Sequence, residues 1–185
     1  ESMLHLVECK QIKPYWDMVK KFIRDVLEDT PAHKDVFTIV FNMSHIVQGK
    51  MMSTEACAFT RHAFDTFWRD FALVDTNGKA FIPVYTFRRT MENFHNAVLA
   101  YGQSIKQFKT QRRYTNLKKH VPEKTLEQFP TLITINPATY DFELTDAFKT
   151  AYSDAHTAAK AYADAHKPQA TGGSGQPMPP PPPGF

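Results

Sequence analysis

The sequence predicts a predominantly α-helical domain followed by a separate proline-rich tail, and three observations carry that prediction. Apolar residues recur at three- and four-residue steps through several long segments, which is the spacing of one helix face. Hydrophobic residues make up 42% of the 185 and aromatics 13%, enough apolar surface over the first ~165 positions to offset chain entropy. After Lys167 the composition changes to Gly, Ser and Pro, which cannot pack. The division is therefore a helical domain over 1–167 and a flexible tail over 168–185, with at most a short strand near 131–135.

The elements follow in chain order. Tyr15, Met18, Val19, Phe22, Ile23, Val26 and Leu27 define an amphipathic helix from Pro14 to Leu27. Pro14 suits its first turn, Asp17 lies near the positive end of its dipole, and Asp29-Thr30-Pro31 closes it. The run Asp35 to Met43 mixes β-branched and aromatic residues, a pattern shared by buried strands and buried helices. It is assigned to helix because Ser44 to Lys50 reads as its continuation, ended by Gly49. Ser53-Thr54-Glu55 precedes Ala56, Phe59, Ala63, Phe64, Phe67, Trp68 and Phe71, which predicts a capped helix whose aromatic stripe faces the core. Asp75 to Gly78 reads as a turn, since Asn-Gly readily supplies positive φ. Ala80 to Pro83 then leads into a helix from Thr86 to Ile105, marked by Phe87, Met91, Phe94, Val98, Leu99 and Tyr101 and prolonged by Lys106 to His120 until Pro122. Thr131 to Ile135 alternates like a short strand that Asn136-Pro137 ends, and an edge strand or an extended segment fits the pattern equally. Leu144 to His166 is rich in alanine, the strongest helix former, and carries an echo: Ala-Tyr-Ser-Asp-Ala-His at 151–156 and Ala-Tyr-Ala-Asp-Ala-His at 161–166. Tyr152, Ala155, Ala159, Tyr162 and His166 share one face, turned to the domain or to a partner.

Composition excludes several function classes. The net charge of +3 and pI of 8.8 fall short of the excess that marks dedicated nucleic-acid binders. Cys9 and Cys57 are far apart and flanked by apolar residues, so no disulfide framework is implied. Apolar stretches such as Val36 to Met43 are much shorter than the roughly 20 residues a bilayer requires, and the opening Glu-Ser-Met shows no secretory pattern, so an intracellular location is expected.

Two segments are candidate binding elements. Pro179, Pro180, Pro181, Pro182 and Pro183, followed by Gly184 and Phe185, form a polyproline II rod behind the hinge at 172–175. Such a rod fits the aromatic grooves of proline-recognising domains, although Gly-Gly-Ser-Gly also resembles an engineered linker. Lys106, Lys109, Arg112, Arg113, Lys118 and Lys119 form a run without acidic residues, interleaved with Phe108 and Tyr114. Cations could neutralise phosphates there while an aromatic stacks on a base; a solvated helix face reads the same way, and acidic protein is an equal partner.

Catalytic sets are incomplete. His5 and Cys9 form half a zinc site, without two further ligands at short spacing. His62 with Asp65, and His156 with Asp154, lack a nucleophile to complete them. Gly-rich phosphate loops, Gly-x-Ser-x-Gly and His-Glu-x-x-His are absent from the sequence, so neither an enzyme nor a cofactor or metal is predicted.

The opening stretch carries a resemblance. His5-Leu-Val-Glu-Cys9-Lys-Gln-Ile-Lys-Pro-Tyr-Trp16, with Val19 and Phe22-Ile23, resembles the segment downstream of the polymerase in non-LTR (LINE-type) retrotransposon reverse transcriptases. In that family a His and a Cys complete a zinc-binding module just before a Pro-aromatic-Trp helix. The first Cys pair of the module and the polymerase aspartate motif are both missing here, so zinc is not implied. The resemblance implies a C-terminal fragment of such an element, or a cellular protein grown from one. The expected function is a non-catalytic interaction or structural accessory subunit of a larger protein complex; the alternative is an RNA- or DNA-binding accessory domain.

Overall fold

The computed structural model describes residues 9–29, 46–47, 50–77, 80–110 and 131–167. The elements are α1 (Lys13–Asp25), β1 (Ile46–Val47), β2 (Lys50–Met51), α2 (Thr54–Asn77), α3 (Pro83–Thr110), β3 (Ile133–Ile135), β4 (Phe142–Leu144) and α4 (Asp146–Ala165). The chain is mostly helical, as its periodicity predicts. β1 pairs antiparallel with β2, and β3 with β4, giving two small hairpins beside the helices.

Helix α1 enters through Pro14 in its first turn and buries Tyr15, Trp16, Val19, Phe22 and Ile23. Its outer face is stitched by Lys13–Asp17 and Lys21–Asp25 pairs at four-residue spacing. Closure comes from Glu28, whose φ of 54° turns the chain while the Asp29 amide donates to the Ile23 carbonyl. The core is aromatic. Phe94 of α3 meets Phe59 of α2 at 5.0 Å, Phe148 of α4 at 5.9 Å and Phe22 of α1 at 6.3 Å between ring centroids, so one side chain touches the other three helices.

The Tyr15 hydroxyl lies deep in this core, where burial pushes its pKa far above the ordinary tyrosine value. It donates to the Ala63 carbonyl at 2.6 Å and lies 2.9 Å from Thr90 Oγ1, which also reaches the Thr86 carbonyl. A single phenol thus ties α1 to both α2 and α3 without leaving its own polar atom unsatisfied.

Ser53 caps α2, accepting the Ala56 amide at 3.1 Å. Glu55 turns away from that cap and accepts from the Thr131 amide at 2.8 Å and the Thr131 hydroxyl at 2.5 Å, fastening the second hairpin to the start of α2. Burial raises the Glu55 carboxyl above its ordinary value, against the hydrogen bonds from Thr131 and Leu132. A raised carboxyl means the native state holds its proton more tightly than the unfolded chain. Its contribution is complete below the ordinary value of 4.5 and is lost as pH rises through the native value. Comparing urea midpoints of the parent and Glu55→Gln from pH 4 to pH 7 is expected to shift the difference steadily in favour of Gln. A difference that does not change with pH would contradict this placement of Glu55.

Two sequence expectations are corrected, and a third, the short strand near 131–135, is met by β3. The stretch Ser44 to Lys50, read as helix, contains β1 and the start of β2, whose residues pair antiparallel as Ile46 with Met51 and Val47 with Lys50, in keeping with the β-branched residues at 46 and 47. Asp75 to Asn77, read as turn, continues α2. Local turn preference is weak, and the preceding turns are held by Asp70, 8% exposed, pairing with Arg89 of α3, and by Phe71 stacked on Phe67. The strand near 131–135 has a partner that its own pattern did not reveal. Asn136 Oδ1 accepts from the amides of Ala138 and Thr139, and Tyr140 takes a φ of 59°, so the polar stretch that ends β3 also returns the chain as β4. The run Asp35 to Met43 lies outside the described residues.

Candidate functional site: a cationic groove between α3 and α4

Helices α3 and α4 run antiparallel, and the ten-residue echo of α4 sets their register. Tyr152 stacks on His95 of α3 at 4.4 Å, and Tyr162 meets Tyr85 edge-on at 5.6 Å, so contacts ten residues apart on one helix match contacts ten residues apart on the other. Each echo copy also sets its tyrosine against the histidine four residues later: Tyr152 meets His156 tilted at 4.6 Å, and Tyr162 stacks on His166 at 4.0 Å. The face assigned to the domain or a partner is thus turned to α3. Between the two aromatic clamps lie Ala155 and Ala159, both buried, whose small side chains allow close helix approach.

A groove of about 600 Å³ opens where Ala159 and Ala163 form the α4 wall and Tyr85 the α3 wall. Arg88 and Arg89 enter it from α3, His156 and Lys160 from α4, with Thr157 at the edge. The lining contains no carboxylate. Two acids stand behind it: Asp70 holds Arg89 at 2.5 Å, and Glu92 Oε1 lies 3.4 Å from Arg88 Nε and 3.5 Å from His156 Nε2. Those last two approaches are near enough for charge attraction but lack hydrogen-bond geometry. Both nitrogens are buried, with no hydrogen-bond partner among the described residues. Lys160 has no ion-pair partner among the described residues either. The Arg88 guanidinium also sits 5.9 Å from the Tyr85 ring centroid, a cation–π contact that aligns it with the groove.

The residues singled out in sequence fall elsewhere. Lys106 bonds Asp141 of the second hairpin at 2.5 Å, and that hydrogen bond holds the Asp141 carboxyl below the usual range. Lys109 lies in the last turn of α3. Arg112, Arg113, Tyr114, Lys118 and Lys119 lie outside the described residues, as do His5 and the tail with Pro179 to Pro183 and Phe185. Cys9 is half-buried against the core, and its carbonyl accepts the amides of Ile12 and Lys13 at the head of α1. Burial pushes the Cys57 thiol up, the state of an unreactive cysteine. His62 packs on Phe94 at 5.6 Å, and burial lowers its pKa. Among the described residues no three His, Cys, Asp or Glu side chains gather as a metal site, and no helix is long and apolar enough to cross a membrane.

The sequence did contain faint signals of the groove, in the Arg88-Arg89 pair and in His156 and Lys160 at four-residue spacing. Only the antiparallel packing brings them together. No protein-family model, curated protein or solved structure matches this chain.

Proposed function

We propose that this chain is a non-catalytic interaction domain that holds an acidic segment of a protein partner in the groove between α3 and α4. The carrying observation is the lining, where Arg88, Arg89, His156 and Lys160 converge from two helices without a carboxylate among them. Cations arranged this way speed encounter with an oppositely charged partner and select against basic ones. A rigid helical base supports the reading, because both walls belong to long helices packed on the core.

The test is fluorescence anisotropy with a labelled Glu-rich peptide at low and physiological salt. Binding is expected to weaken as salt rises, and Arg88→Glu with Lys160→Glu is expected to reduce affinity by at least about tenfold while the melting temperature stays within a few degrees of the parent. Lys160 is exposed and Arg88 is half-buried at the rim of the groove, outside the hydrophobic core, which is why folding should tolerate the change. Removing 168–185 is expected to leave binding unaltered, since α3 and α4 supply every groove residue. Binding that survives the double charge reversal would overturn the proposal. So would capture of single-stranded RNA alone, with no affinity for the acidic peptide.

A further inference from the structure

The geometry points to a phosphate monoester as the group this groove is built to anchor: a phosphorylated side chain of the partner, gripped by Arg88, Lys160 and His156. The inference rests on the groove being a binding face and specifies what enters it.

Three features distinguish a phosphoryl group from a carboxylate. Donors stand on opposite walls, with Arg88 and Arg89 on α3 facing His156 and Lys160 on α4. A planar carboxylate presents two oxygens along one edge, whereas a phosphate monoester presents three on a tetrahedral centre and can satisfy both walls at once. The charge balance agrees. Among the described residues the two arginines pair with Glu92 and Asp70 and Lys160 has no ion-pair partner, so a cation is left over without counting His156, and a phosphoryl group carries about −1.5 to −2 at neutral pH.

The third feature is the shortage of acceptors. Arg88 Nε and His156 Nε2 both crowd a single oxygen, Glu92 Oε1, and neither gains a hydrogen bond from it. Buried donors in this condition gain from any ligand that brings several acceptor oxygens, and small rotations of Arg88 and His156 would aim them at one. At about 600 Å³ the groove also exceeds what a bare phosphate fills, leaving space beside Tyr85 for the group that carries it.

Anisotropy with three labelled peptides tests this: one containing phosphoserine, the same peptide with serine, and the same with glutamate. The phosphoserine form is expected to bind at least about tenfold more tightly than the glutamate form, and Arg88→Gln or Lys160→Met is expected to erase that advantage. Free phosphoserine and inorganic phosphate serve as competitors. Displacement by them at concentrations near that of the peptide would assign the site to small phosphorylated molecules, with the same anchor. Equal affinity for the glutamate and phosphoserine peptides would overturn the phosphate assignment and leave the acidic groove standing. No affinity for any acidic peptide would remove both. Thermal melts of each variant accompany the titrations, so a folding defect is separated from a lost contact.

Discussion

Replacing Phe94 by alanine is expected to lower the stability of this domain by about 3 to 5 kcal/mol, the range for deleting a fully buried phenylalanine. The ring is 1% exposed and contacts Phe22, Phe59, His62 and Phe148, which come from α1, α2 and α4. None of those helices can close over the gap without losing its other contacts, so the cavity persists and its cost adds to the lost transfer energy. Urea unfolding should show the midpoint falling with little change in slope, and heating should show a melting temperature lower by on the order of 10 °C. Trp68→Ala is the comparison. That ring is 51% exposed and stacks on Phe64 at the surface, so its loss should cost less than about 1 kcal/mol. Similar losses for the two variants would contradict the placement of Phe94 at the junction of the helices.

Gly102→Ala is expected to destabilise the protein, although alanine in a helix interior ordinarily gains about 1 kcal/mol over glycine. A Cβ at Gly102 would stand 2.6 Å from Cδ2 and Cε2 of Phe142, well inside van der Waals contact. The ring would have to move and carry β4 with it, and overpacking of this kind costs about 1 to 3 kcal/mol. The net expectation is a loss of up to about 2 kcal/mol. Phe142→Ala removes the obstacle, so the double variant should recover the alanine gain and be more stable than Phe142→Ala alone. A Gly102→Ala protein more stable than its parent would show that the second hairpin does not rest on this glycine.

These two sites differ in how far the sequence announced them. Phe94 belongs to a helical stripe with Phe87, Met91 and Val98, and its burial could be read from spacing. Gly102 carries no such signal. Its importance comes from a ring forty residues later, in a strand only three residues long.

The groove has the same character. A run of six cations at 106–119 is conspicuous because the residues are neighbours in sequence, yet Lys106, the one whose side chain is described, is bound to Asp141 in a local brace. Arg88, Arg89, His156 and Lys160 are scattered over two helices and among acidic residues. Their convergence depends on α4 folding back along α3 in the register that Tyr85–Tyr162 and His95–Tyr152 fix. The ten-residue echo of α4 was visible in the sequence, but its meaning required the matching interval on α3.

By itself, then, the sequence determined the helical class, most of the buried stripe of each helix, the proline-marked start of α1 and the cap of α2. Each of these depends on residues within a few turns of one another, where spacing and capping chemistry act directly. Trp68, placed by its spacing in the core stripe of α2, and His166 of α4 are instead exposed, because spacing fixes a face but not how far the neighbouring elements cover it. Tertiary structure alone decided the helical fate of Asp75 to Asn77, the pairing of both hairpins, the anchoring of Thr131 by Glu55 and the assembly of the groove. Those features join residues separated by one or more elements, and their free energy comes from contacts that exist only after the helices have packed.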